Sequence, residues 1–206
     1  EDVIDIVEKT WRWYGEGKVI MPNKITTDMS ALGVAGWFNS MPAYIGPMDT
    51  AGLKLVGGYD GNKALGLPYI KANVVLTDPR TGILKALVSG DYINDARTGA
   101  QPAIMTRMLA SSTDVVCIIG TGLMAYYSLL CMSKTVEMKE VRLCDISEEA
   151  KDRFIARFPD APWKFVKCAT NEEGCRGADV VVTITNANAD LVEEPWLKEG
   201  SLVMTM

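Results

Sequence analysis

Val115-Val-Cys-Ile-Ile-Gly120-Thr-Gly122-Leu-Met-Ala125 is the stretch that decides the fold. Val115–Ile119 is a short, unbroken apolar run, the length of a buried strand. G-x-G-x-x-A follows at once, and helical spacing then runs over Leu123–Ser133. Each small residue has its own reason. Gly120 permits the tight turn, and Gly122 lets backbone approach a diphosphate with no Cβ in the way. Ala125 lets the helix pack close to the strand. The start of that helix offers unbonded N–H groups and a positive dipole end to phosphate. A second signal lies in Val141-Arg-Leu-Cys-Asp145, where an acid ends the next strand 20 residues after Ala125. A carboxylate there accepts hydrogen bonds from the adenosine ribose hydroxyls and repels a 2′-phosphate, which favours NAD over NADP.

Outward from this loop, strands alternate with helix-length segments. Strands are predicted at Val115–Ile119, Glu140–Cys144, Lys164–Cys168, Val180–Ile184 and Leu202–Met206, with helices at Leu123–Ser133 and Glu148–Phe158. That alternation predicts a Rossmann-type, doubly wound parallel α/β sheet. The first half reads differently, as α+β with a largely antiparallel sheet. Val3, Val7, Trp11 and Tyr14 mark an amphipathic helix that ends at Gly15 and Gly17. Strands are expected over 52–56, 72–77 and 83–88, the last two joined by an Asp78-Pro-Arg-Thr-Gly82 turn. Helical spacing returns over 95–110, with Pro102 predicting a kink or a late start. Ser111-Ser112-Thr113 is a polar joint, so domains are expected over 1–112 and 113–206. Both ends read as cut. A helical pattern is already running at Glu1 and a strand stops at Met206, as in a piece of a longer protein.

The 206 residues carry 21 Lys and Arg, 26 Asp and Glu and no His, for a net charge of −5. The missing imidazole excludes Ser-His-Asp triads, Cys-His dyads and histidine-bearing zinc sites. Acid–base work must fall to Lys, Asp, Glu, Tyr or Cys. The acidic balance argues against nucleic acid. No run approaches the roughly 18 apolar residues of a membrane span. Five cysteines without C-x-x-C spacing read as buried thiols in a reducing cytoplasm, and no metal site is predicted.

Five segments in order carry a resemblance: Gly52-Leu-Lys54, Gly61-Asn62, Leu76-Thr-Asp78-Pro-Arg-Thr-Gly82, Ala96-Arg97-Thr98-Gly-Ala100 and Ile119-Gly-Thr-Gly122. From about Met21 to the last residue, the chain resembles the ornithine cyclodeaminase/mu-crystallin family. The resemblance implies a substrate and dimerisation domain preceding an NAD domain. It implies hydride transfer at Cα of a small amino or imino acid, by a dehydrogenase, imine reductase or cyclodeaminase. It also implies a homodimer. The alternative it leaves open is a non-catalytic protein that keeps the dinucleotide site to bind a small ligand, as mu-crystallin does.

By this resemblance Lys54 is the active-site lysine and Arg97 holds the substrate carboxylate. Thr98 follows in the segment facing the cofactor phosphates, Leu123 and Met124 lie where loop backbone meets the diphosphate, Asp145 binds ribose, and Thr185 touches the cofactor after the fourth strand. The sequence departs from the family at two places. Met21-Pro22-Asn23-Lys24 replaces a P-x-R element, so Lys24 keeps the charge without the planar fork. Tyr69 stands where a small hydroxyl residue lies near the nicotinamide. The cyclodeaminase's acid–base aspartate would fall past Met206. Lys54 on an apolar strand has its charge disfavoured by burial, which suits proton transfer. Read as plain structure, Lys54 would be a strand lysine reaching solvent, Arg97 a helix-surface partner of Asp95 or Asp91, and Lys24 a loop charge.

Overall fold

The computed structural model describes residues 2–206, so Glu1, where the helical pattern opens, lies outside the described residues. Helix α1 (Asp2–Gly15) forms where the spacing predicts it. Asp2 and Asp5 in its first turn and Arg12 in its last complement the helix dipole. The chain divides into two units, Ile6–Asn94 and Asp95–Met206, the latter joined by the start of the chain up to Asp5.

The first unit is built on β1 (Val19–Ile20), β2 (Ile25–Asp28), β3 (Gly36–Ile45), β4 (Thr50–Tyr59), β5 (Ile70–Thr77) and β6 (Leu84–Ser89). They form one antiparallel sheet in which β1 and β2 both border β3, followed by β4, β5 and β6. All three strands expected from the sequence are present. The 78–82 turn forms as well, with the N–H groups of Arg80 and Thr81 donating to Asp78 Oδ1 at 3.0 and 2.9 Å. Strand β3 is not apparent in the sequence because Gly36, Asn39, Ser40 and Pro42 break its pattern. Pro42 is tolerated because β2 pairs with 37–40 and β1 with 44–45, leaving a gap in the ladder at the residue that has no N–H.

Register assigns the faces, since directly opposed residues point the same way. Met41, Lys54 and Val74 share one face with Asn39, Val56 and Ala72, which are buried. Pro42, Leu53, Val75 and Leu87 share the other face with Leu55, and there Leu55 is 36% and Leu87 70% exposed. Helix α2 (Asp91–Leu109) begins four residues before the expected Asp95, contrary to a late start, and runs on through Pro102. Its start is anchored by tertiary contacts: Asp91 accepts the Ala72 N–H at 2.8 Å and pairs with Lys71.

The second unit contains β7 (Val115–Ile119), α3 (Leu123–Met132), β8 (Glu140–Cys144), α4 (Glu148–Ile155), β9 (Lys164–Lys167), α5 (Asn171–Cys175), β10 (Val180–Thr183) and β11 (Leu202–Thr205). Its five strands are parallel in the order β11-β10-β7-β8-β9. Apolar residues are buried on both faces, which is why β7 and β10 are continuous runs rather than alternating ones. Val116, Ile118, Leu129, Leu143, Phe154 and Val182 fill one side. Cys117, Ile119, Cys144, Cys168, Cys175 and Val181 fill the other. Each fully buried aliphatic or aromatic side chain contributes about 1.5–3 kcal/mol. All five cysteines are free thiols, four of them buried and Cys131 half-buried. Among the described residues no helix is long and apolar enough to cross a membrane, and no group of three or more His, Cys, Asp or Glu side chains could hold a metal ion.

Candidate dinucleotide site

The strand order of the parallel sheet reverses between β7 and β10, so the connections leave in opposite directions and open a crevice beyond the strand ends. Gly120 ends β7 there, at φ 96°, a backbone region that favours glycine. A Cβ on it would meet Ile184 O at 2.5 Å and Thr185 Cγ2 at 2.8 Å. Conformation and close approach therefore both demand glycine. Thr185 lies against Gly120, and its Oγ1 accepts the Ala187 N–H at 2.8 Å. Gly122 differs in kind. It precedes α3 at φ −76°, and a Cβ on it would meet nothing within 4 Å. The chain needs no glycine here for its own packing, and the space it leaves lies over the start of α3. Helix geometry leaves the first-turn N–H groups, including those of Leu123 and Met124, without intrahelical acceptors. Ala125 is fully buried beneath them.

Asp145 follows β8 and faces this turn. Its Oδ2 accepts the Thr121 N–H at 2.8 Å and the Thr121 hydroxyl at 2.7 Å, and its Oδ1 accepts the Ser147 N–H at 2.9 Å. Burial alone would push this carboxyl up. The bonds from Ser147 and Thr121, with the positive field of Lys151, outweigh it and hold the pKa below the usual carboxylate range. Thr121, Gly122, Leu123, Asp145, Arg153 and Arg157 line a cavity of about 420 Å³. Arg157 stacks on the Tyr126 ring, 3.4 Å from its centroid.

These residues fit a dinucleotide. The open cradle over Gly122 and the start of α3 suit a diphosphate. Asp145 uses three of about four acceptor positions on its own backbone and on Thr121, which leaves capacity for a ribose hydroxyl at Oδ1.

The other residues expected from the sequence fall as follows. Arg97 and Thr98 lie on α2, which meets α3 so closely at Gly99 that a Cβ there would touch Tyr127 O at 2.5 Å. Arg97 is half-buried, and burial pulls its guanidinium below its ordinary range while Asp95 acts the other way. Lys54, Lys24 and Tyr69 belong to the antiparallel unit. Lys54 is half-buried in mid-β4, and its Nζ donates to Asn94 Oδ1 at 2.9 Å. Tyr69 occupies the space over Gly58, where a Cβ would meet its ring at 2.7 Å, and its hydroxyl accepts the Trp37 indole N–H at 3.3 Å. Lys24 is exposed in the loop before β2. Gly120, Gly122, Leu123, Asp145 and Thr185 thus gather at the ends of β7, β8 and β10.

Thr121, Lys151 and Asn94 were not legible. Thr121 is a variable position of the glycine pattern. Lys151 is 1% exposed, donating to Cys168 O at 2.9 Å and pairing with Glu148, in a run that reads as a charged surface.

A parallel sheet in this order, with a glycine turn at the reversal point and a carboxylate closing the neighbouring strand, defines a Rossmann-type α/β protein. Within that class, the chain belongs to the ornithine cyclodeaminase/mu-crystallin family, whose sequence model matches residues 1–206. It is 32% identical over 202 residues to an alanine dehydrogenase of Archaeoglobus fulgidus, covering 98% of this chain and 60% of that protein. Among solved structures it is similar to an archaeal alanine dehydrogenase dimer with bound NAD, at TM-score 0.88 and 32% identity, covering 98% of this chain and 61% of that one. It is also similar to the Thermococcus litoralis Delta(1)-pyrroline-2-carboxylate reductase in complex with NADH and L-proline, at TM-score 0.90 and 25% identity, covering 99% of this chain and 63% of that one. The chain spans about 60% of the length of these relatives.

Proposed function

We propose that this chain is the substrate- and dinucleotide-binding part of an NAD-dependent enzyme that transfers hydride at Cα of a small amino or imino acid. The observation that carries the reading is the open backbone cradle at Gly122 beside the carboxylate of Asp145. Bound NAD would supply the hydride acceptor, and NADH the donor. The chain's own residues supply the rest. Backbone at Gly122, Leu123 and Met124 binds diphosphate, Asp145 binds ribose, and Thr98 and Thr185 flank the cofactor. Arg97 and Lys24 hold the substrate carboxylate, Arg97 through its planar fork and Lys24 as a point charge. Lys54 holds and moves the proton at the substrate nitrogen, a task no histidine is present to take. The substrate role falls to residues 1–112 and the dinucleotide role to 113–206. The related alanine dehydrogenase described as an NAD-bound dimer supports both the cofactor and a homodimeric assembly.

The test uses the complete protein. NAD and NADP binding are measured by calorimetry. Small amino acids with NAD, and cyclic imino acids with NADH, are then followed at 340 nm and for ammonia. Turnover with a net change in NADH supports dehydrogenase or reductase chemistry, whereas ammonia release without such a change points to cyclodeamination. Binding of NAD with no amine or imine turned over would leave a dinucleotide-binding protein without this reaction. Failure of NAD to bind removes the proposal.

A further inference from the structure

We infer that Asn94 is a positioning residue for Lys54: its side-chain carbonyl holds the lysine amine in place as a neutral partner, so that the amine can lose and regain a proton without losing its anchor. The inference rests on Lys54 being the proton carrier proposed above.

The geometry is direct. Lys54 Nζ donates to Asn94 Oδ1 at 2.9 Å, and Asn94 is 6% exposed. Asn94 lies in the first turn of α2, and its own N–H donates to Gly90 O at 2.7 Å. The acceptor is thus fixed by the helix start, and that start is itself pinned to β5 through Asp91. A flexible four-carbon stem on β4 meets an acceptor that cannot follow it.

The chemistry of that acceptor is decisive. Around Lys54 on its face of the sheet, Met41 and Val74 lie directly opposite, with Asn39, Val56, Ala72 and Leu76 beyond them, and none of these carries a charge. The charged group of the first turn of α2 is Asp91. Asp91 pairs with Lys71 and accepts the Ala72 N–H, and Asp95 and Arg97 follow Asn94 on the helix. The amide of Asn94 accepts from the lysine. An aspartate of the same shape would form an ion pair and hold the amine as ammonium. A carbonyl oxygen accepts from –NH₃⁺ and from –NH₂ alike.

The test compares Asn94→Asp and Asn94→Ala with the unaltered complete protein. Competitive acetylation with acetic anhydride across pH, read by mass spectrometry, reports the pKa of Lys54 with no cofactor or turnover required. Asn94→Asp is expected to raise that pKa by about one unit or more. The limb of the pH–rate profile assigned to Lys54 is expected to move with it. Asn94→Ala is expected to lower kcat about tenfold or more with KM changed less than threefold, the pattern of a misplaced group rather than of weakened substrate binding. An Asn94→Asp protein whose Lys54 pKa is unmoved overturns the inference. A labelling pKa that rises while the rate profile stays put keeps the pairing, but it removes Lys54 from proton transfer and overturns the positioning role together with the proposed chemistry.

Discussion

Gly120 and Gly122 are both glycine for reasons that experiment can separate. Gly120→Ala puts a Cβ at φ 96° against Ile184 O, so it should destabilise the protein by about 1–3 kcal/mol in denaturant unfolding. Gly122→Val adds its side chain to open space at an ordinary φ. It should leave stability within about 0.5 kcal/mol while weakening NAD at least tenfold by calorimetry. Unchanged NAD affinity in Gly122→Val would place the diphosphate elsewhere. Asp145 gives a pH-dependent signature. Its pKa is lower in the folded chain than the roughly 3.9 of an unfolded aspartate. The stabilisation it provides is therefore fully present above that value and is lost as pH falls through the folded pKa. Asp145→Asn should be less stable than the unaltered chain by a constant amount between about pH 5 and 8, with the gap closing below about pH 4. Urea unfolding at a series of pH values checks this; a gap that persists undiminished to low pH contradicts the assignment. Gly120, Gly122 and Asp145 were legible because a phosphate-binding turn constrains residue type at fixed spacing. Thr121 and Asn94 were not, because their partners, Asp145 and Lys54, are 24 and 40 residues away in sequence.

At the scale of elements, legibility follows burial. Strands β7 and β10 are covered on both faces and announce themselves as apolar runs, whereas β3 carries Gly, Asn, Ser and Pro and is a strand only because its neighbours make it one. The start of α2 was misplaced for the same reason, since Asp91 begins the helix through its hold on β5. Helix α5 shows an element whose seat depends on one small residue. Gly174 faces the sulfurs of Cys117 and Cys144, and a Cβ there would run into both. These thiols lie 3.9 Å apart. Their mutual contact and burial push Cys117 up, and burial pushes Cys168 up to about 12. Cys117, Cys144, Cys168 and Cys175 are all buried, so the cluster should react sluggishly with a disulfide reagent in the native protein. Gly174→Ala should lift α5 from the sheet, destabilise the protein by about 1–3 kcal/mol, and speed labelling of Cys117 and Cys144. Equal labelling rates in the two proteins would show that α5 does not depend on this contact.

For the molecule as a whole, an unanswered surface is the face of the antiparallel sheet that carries Leu55 and Leu87. One face buries Val56, Ala72 and Asn39, but the other leaves Leu55 and Leu87 in water beside Leu53 and Val75. An apolar sheet face of this kind calls for a cover, and the proposed homodimer supplies one if two copies join face to face. A stable pairing buries about 800 Å² on each partner. In a twofold interface each substitution appears twice, with its copies near one another. Leu55→Glu with Leu87→Glu would thus bury four carboxylates without partners in a dimer from a chain already at net charge −5, and unpaired buried charge is strongly unfavourable. The double variant should halve the mass seen by light scattering at micromolar concentration. Its NAD affinity should hold, because Gly122 and Asp145 belong to the other unit. Were the unaltered complete protein already monomeric under those conditions, the homodimer would fail and some other partner or segment would have to cover this face.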